Sequence, residues 1–200
     1  MLNAPPRLAQ QIQFIAEIDR LKSVLRRTQL IDGSRHENSA EHSWHLAVMA
    51  LLLQEYAASS VDVGRVMRML LVHDIVEIDA GDTFAFDVAG NLSKAERELV
   101  AAERIFGLLP EEQGRELRAL WDEFEAMTTP ESRYANALDR LEPLLQNLHN
   151  TGGTWRQYNI NRAAVLRRMA PIQAGMPELW PFVVDAVEAA VQAGYISEEA

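Results

Sequence analysis

The chain has 200 residues, no cysteine and a formal net charge of −10, with 48% apolar and 24% charged residues. That length and balance suit one soluble domain, spanning 1–200, with a core that buries about 70% of the unfolded surface. The acidic balance argues against duplex nucleic acid as a partner but leaves room for a small anion held by a dication and an arginine or two, and the lack of thiols is compatible with a cytoplasmic setting.

The first residues, Met1-Leu2-Asn3-Ala4-Pro5-Pro6, lack the charged and apolar stretches of a signal peptide. Apolar residues at Leu8, Ile12, Ile15, Ile18, Leu21 and Leu25 recur at helical spacing and predict a helix over 8–25. Ser39 is the predicted N-cap of a helix over 39–56, whose apolar run at 46–53 is too short to cross a bilayer. Ser59 followed by Asp62 has a capping-box pattern ahead of Val66-Met67-Arg68-Met69-Leu70-Leu71-Val72, which leads into His73-Asp74. Residues 79–91, with Gly81, Gly90 and several aspartates, predict a loop over the end of that helix. Ser93 and Glu96 repeat the capping pattern before Leu99, Val100, Ile105 and Phe106. Pro110 and Thr129-Pro130 open two more helices, with proline where its missing N–H does no harm. Residues 150–154 form a second irregular stretch, and a last helix is predicted over 178–193. No run alternates as a strand should, so the expected fold is an all-α, compact, single-domain helical bundle.

His73-Asp74 is the most informative pair. Two metal-binding side chains at the end of an apolar helix cost free energy unless paired or coordinating. Glu77 lies on the face of His73, one turn on, and Asp74 is rotated by about 100° from both. His73 and Asp74 can therefore converge on one ion while Glu77 reaches over it as a proton donor, or all three can simply end a surface helix. Glu41-His42-Ser43-Trp44-His45 is not the zincin pattern, since the order is reversed, and spacing does not decide which histidine would ligate. Trp44 and Leu46 suggest that part of this stretch is core. Asp139 lies off the stripe of Leu138, Leu141, Leu145 and Leu148 and reads by itself as a solvated aspartate, although Pro143 withdraws the hydrogen bond to its carbonyl. Imidazole and carboxylate without thiol suit Mn, Fe, Co, Ni, Zn or Mg. The acidic residues Glu111, Glu112, Glu116, Asp122, Glu123 and Glu125 read as a solvated helix face.

With His42, His73-Asp74 and Asp139 in that order, the sequence resembles the HD-domain metal-dependent phosphohydrolase superfamily. Within it the chain is similar to the small 5′-deoxynucleotidase-like group. The matching stretches are Leu21-Lys22-Ser23-Val24-Leu25-Arg26, Glu37-Asn38-Ser39-Ala40-Glu41-His42-Ser43, His73-Asp74-Ile75-Val76-Glu77-Ile78-Asp79-Ala80-Gly81-Asp82 and Ala137-Leu138-Asp139-Arg140-Leu141-Glu142. The resemblance implies an HD-type fold and one divalent ion held by His42, His73, Asp74 and Asp139. It also implies catalytic roles for Glu77 and Asp82 on the attacking water and the leaving group, and phosphate binding by Arg26. His45 would pack or support. Arg27 stands beside the sugar position, where the group often has an aromatic or small residue, so the sugar is left open. Dinuclear relatives need further histidines between the His-Asp pair and the last Asp, and this chain has none between Asp74 and Asp139.

The implied activity is release of phosphate from (deoxy)nucleoside 5′-monophosphates by a metal-activated water, in a homodimer or higher homo-oligomer by analogy with the group. The rival readings are an HD hydrolase of another phosphate ester (a nucleoside triphosphate, a guanosine polyphosphate or a non-nucleotide phosphomonoester) and a non-catalytic metal-stabilised binding module. Glu77, Asp82 and Arg26 favour the enzyme, because a purely structural site would not need them.

Overall fold

The structure is a computed structural model that describes residues 4–198. Its centre is the helix Pro130–His149, here α8 once α1 (Pro6–Ile18), α2 (Ser39–Leu52), α3 (Val63–Val72), α4 (Glu77–Ala80), α5 (Val88–Leu92), α6 (Lys94–Phe106) and α7 (Glu111–Ala126) are counted. The short α9 (Gly153–Gln157), then α10 (Arg162–Gly175) and α11 (Trp180–Gln192) complete the chain. Tyr134, Ala135, Ala137, Leu138, Leu141 and Leu144 are all buried, so α8 is covered on most of its circumference. It packs on α2, α3, α7 and α10, and this main core continues through Trp155, Val165, Met169 and Val183. A second core joins Phe14 and Leu21 to Val72, Ile75, Val76, Ala101, Ile105, Phe106 and Trp121. None of the helices among the described residues is long and apolar enough to cross a membrane.

Several element ends differ from the sequence reading. The first helix stops at Ile18, and a 3-10 turn over Asp19–Ser23 leads into a strand, β1 (Leu25–Gln29). It pairs antiparallel with β2 (His36–Asn38), register Leu25 to Asn38 and Gln29 to His36. This hairpin is the departure from an all-helical chain. Its strands are too short, and too polar, to show an alternating apolar pattern.

The cap of α2 is Asn38, not Ser39. Asn38 Oδ1 accepts from the Ala40 and Glu41 amides at 3.1 and 3.0 Å, while Glu41 accepts from the Asn38 amide. Such a cap stabilises a helix by about 1 kcal/mol. Asp62, not Ser59, caps α3 by accepting from the Arg65 amide, and Ser93 makes no side-chain cap on α6. Helix α8 begins at Thr129-Pro130 as expected, with Pro130 in the first turn, and Thr129 caps it in a box with Ser132. Helix α2 ends at Leu52 with a 3-10 turn at Gln54–Tyr56, and α11 starts at Trp180 after a 3-10 turn at Pro177–Leu179. Trp44 is 63% exposed and therefore not core.

Two glycines are required by geometry. Gly81 closes α4 at φ +73°, which releases the chain into the loop at 82–87. Gly175 lets α10 approach α8, since a Cβ there would lie 2.3 Å from the Arg133 carbonyl oxygen.

Candidate metal centre and substrate cleft

Helices α2, α3 and α8 pack pairwise, and each brings one part of the candidate site to the place where they meet. His42 comes from the second turn of α2, His73 from the C-cap of α3, and Asp139 from the middle of α8. All three are buried, with one ligand atom from each within 4.8 Å of the others. His42 Nε2 lies 3.1 Å from Asp139 Oδ1, and His73 Nε2 lies 3.9 Å from the same oxygen. Asp74 sits beside them, Oδ1 at 3.1 Å from His73 Nε2 and Oδ2 at 4.0 Å from His42 Nε2. The four residues that the resemblance implied as ligands are thus together. Asp139 is not the solvated aspartate that its position off the apolar stripe suggested.

The proton positions follow from the partners. His73 Nδ1 is 2.8 Å from the Leu70 carbonyl, which can only accept, so Nδ1 carries the proton and Nε2 turns its lone pair to the cluster. That Nε2 is buried and has no hydrogen-bond partner among the described residues. An orphaned imidazole nitrogen facing two carboxylates and a second imidazole is what a divalent cation would satisfy. The donor set fits the ion. Burial is the main reason the His73 pKa falls to about 4, opposed in part by Asp74. Burial and Arg26 also oppose a charge on His42, but the Glu142 and Glu37 carboxylates outweigh them and lift its pKa to about 9.

Behind His42 stands a second layer that sequence reading missed. Glu142 Oε2 is 3.2 Å and Glu37 Oε2 3.4 Å from His42 Nδ1, and both glutamates are buried. Burial opposes ionisation of Glu142, yet His42 and His45 hold its carboxyl far below the usual range, while burial pushes Glu37 up. Glu142 could have been found, one turn after Asp139 on the same helix. Glu37 opens one of the stretches that carry the resemblance, but nothing in its short, polar strand pointed to a role.

Glu77 opens α4 directly after the His-Asp corner, and Ser39 Oγ donates to its Oε2 at 2.6 Å. Burial first, and then the Asp74 charge, raise its pKa well above the ordinary carboxylate value. Arg26, on β1, donates to Asp74 Oδ2 at 2.9 Å. Burial opposes the Arg26 charge, but Asp74, Asp82 and Glu77 outweigh it and raise its pKa. Asp82 and Arg27 are less deeply placed, Asp82 half-buried and Arg27 exposed on the strand.

Two clefts meet above the cluster. One is polar and includes His73, Asp74, Glu77, Lys94 and Glu98. The other is partly aromatic and includes Arg27, Phe84, Phe86, Asn147 and Trp155. Arg26, Asp82, Thr83, Asp139, Arg140 and Arg168 line both. Of the loop expected over 79–91, only 81–87 is irregular, because α4 and α5 take its two ends; it reaches the site through Asp82, Thr83, Phe84 and Phe86, and Phe84 packs on Tyr158 with ring centroids 4.7 Å apart. Trp155, buried on α9, comes from just after the second stretch that the sequence left irregular, residues 150–154.

A family profile described as an HD domain matches residues 18–180. The chain belongs to the HD-domain family. Its fold is similar to that of a predicted metal-dependent phosphohydrolase from Magnetospirillum magnetotacticum MS-1, with TM-score 0.91 and 54% identity over 95% of each chain. An HD-domain phosphohydrolase from Listeria innocua shares the fold at TM-score 0.61 and 17% identity, covering 92% of this chain and 95% of that one. The human 5′-deoxynucleotidase HDDC2 is 32% identical over 136 residues, which are 68% of this chain and 65% of that protein. The chain therefore matches a little under two thirds of that relative's length. The fission-yeast 5′-deoxynucleotidase hdd1 is 26% identical over 143 residues, 68% of this chain and 69% of that protein.

Proposed function

We propose that the protein is a metal-dependent phosphohydrolase that releases phosphate from nucleoside 5′-monophosphates, deoxynucleotides among them. The observation that carries this reading is the buried His73 Nε2, without a hydrogen-bond partner among the described residues, facing Asp74, Asp139 and His42 beneath a cleft lined by arginines and aromatic rings. The names of the human and fission-yeast relatives and of the Magnetospirillum structure support the same class. One divalent ion would be held by His42, His73, Asp74 and Asp139. Bound there, it would supply a nucleophile at neutral pH and polarise a phosphoryl oxygen.

The remaining work falls to the side chains. Arg26 holds the phosphate by charge-assisted hydrogen bonds. Burial favours the protonated form of Glu77, whose role is to deliver that proton to the leaving 5′-oxygen. Asp82, at the junction of the clefts, takes the proton of the incoming water. The aromatic cleft with Trp155 and Phe84 takes the nucleoside, and Arg27 at its edge faces the sugar.

The test is to strip the protein of metal and add back Mn, Co, Mg or Zn with a panel of ribo- and deoxyribonucleoside 5′-mono- and triphosphates. Phosphate release from the monophosphates, dependent on added metal, is the expected result. Activity confined to triphosphates would move the substrate. Silence across the panel with metal stoichiometrically bound would overturn the reading.

A further inference from the structure

We propose that Arg168, on α10, is a second phosphate-binding residue that grips the substrate phosphate opposite Arg26. This rests on the phosphate-ester reading above. Arg168 lines both clefts at their junction, together with Arg26 and Arg140. A phosphate joined to a nucleoside must lie at that junction if the phosphorus is near the ligand cluster and the base is among the aromatic rings.

Arg168 is conspicuous for what it lacks. It is half-buried, and among the described residues it makes no hydrogen bond or ion pair. The other arginines without a polar partner among those residues, Arg27, Arg156 and Arg167, are exposed and have water to solvate them. Asp82 and Glu125 lie near enough to favour its charge but neither pairs with it directly, and a guanidinium withdrawn from water without a direct partner is costly. Burial, and then the neighbouring Arg26, push its pKa down to about 10, so it remains a cation at neutral pH. Arg140 is repelled by the same two arginines. Three like charges converging on one opening leave room for an anion.

The ion pairs of the other two arginines sharpen the argument. Arg26 is paired with Asp74, and Arg140 with Asp139. Both carboxylates belong to the candidate ligand set. A dication would draw on their charge, weakening the pairs of Arg26 (which keeps Glu37 Oε2 at 3.6 Å from its Nε) and Arg140, while Arg168 has no pair to lose. A phosphate dianion complements that field, and the planar fork of arginine suits it in a bidentate contact. The support of Arg168 is rigid. Val165, Met169 and Ile172 are buried along α10, and Gly175 seats the helix against α8.

The experiment uses the full chain loaded with Mn²⁺ and titrates inorganic phosphate by calorimetry, for wild type, Arg168→Met and Arg168→Gln. Expected is phosphate affinity reduced about tenfold or more in both variants, with metal content unchanged and the melting temperature level or raised, since a partnerless charge has been removed. In steady-state assays KM for a nucleoside monophosphate rises by a similar factor, and kcat changes less. Phosphate affinity within twofold of wild type in a folded, metal-loaded variant would overturn the proposal. If the Met variant fails to fold, the Gln variant, which keeps length and polarity, decides by the same titration. Phosphate binding requires no turnover, so a panel that shows no hydrolysis defeats the proposed reaction while this titration still decides the role of Arg168.

Discussion

Glu142 bridges two histidines: its Oε2 lies 3.2 Å from Nδ1 of His42 and its Oε1 lies 3.3 Å from Nδ1 of His45. Only His42 is in the ligand cluster, so Glu142 acts on it from behind, fixing the tautomer that turns Nε2 toward Asp139. Glu142→Gln should therefore weaken metal affinity by about 10–100-fold, the usual cost of losing such a support. Competition against a fluorescent chelator reads it directly. An affinity within twofold of wild type would mean that α2 alone orients His42.

Glu77 provides a pH test with a definite sign. Its folded-state pKa lies above its ordinary value of 4.5. The unfolded chain therefore loses this proton first, and the stability it contributes declines as pH rises from that value toward the folded pKa. Glu77→Gln cannot lose the proton. Metal-free Glu77→Gln should melt above wild type at pH 8, with the gap closing toward pH 4.5. The same variant should bind metal and lose turnover, whereas Asp74→Ala should lose both. A melting difference that does not change with pH would show that the buried carboxyl is not what titrates. Full activity in Glu77→Gln on every phosphomonoester would remove it from the catalytic step.

What sequence could show differs between these residues for physical reasons. The His73-Asp74-Glu77 group was legible because its members lie on one continuous stretch at the end of an apolar helix. His42 and Asp139 became legible only through the order of the resemblance. The burial of Asp139 depends on α2 and α3 closing over α8, which no local pattern encodes. The hairpin was hidden because β1 is Leu-Arg-Arg-Thr-Gln, polar and brief, yet it places Arg26 against Asp74. Arg168 was equally hidden. It is one of two adjacent arginines on α10, and only packing decides that Arg167 meets solvent while Arg168 meets the cleft.

Gly175 tests whether the packing of α10 on α8 matters as much as the chemistry. An added methyl would meet the Arg133 carbonyl and the Ala137 Cβ, neither of which can swing away as a flexible side chain would. Gly175→Ala should cost about 1–3 kcal/mol by overpacking, measured by urea denaturation. Because Arg168 is carried by the same helix, phosphate affinity should fall with it. An unchanged denaturation midpoint would show that α10 can shift outward without loss.

Arg26 and a metal ion make opposing demands on one carboxylate. The guanidinium holds Asp74 Oδ2 at 2.9 Å, and that oxygen is also 4.0 Å from His42 Nε2. Arg26→Gln removes the competing cation and its repulsion of a dication, so metal affinity should hold or increase. Phosphate binding should weaken, since one grip on the anion is gone. The expected signature is a divergence: KM for the nucleotide rises by about tenfold or more while the metal dissociation constant stays level or drops. Calorimetry with Mn²⁺ on the metal-free variant, beside steady-state kinetics, separates the two. If metal affinity collapsed together with KM, Arg26 would be holding Asp74 in ligating position, and its contact with phosphate would no longer be needed to explain the loss.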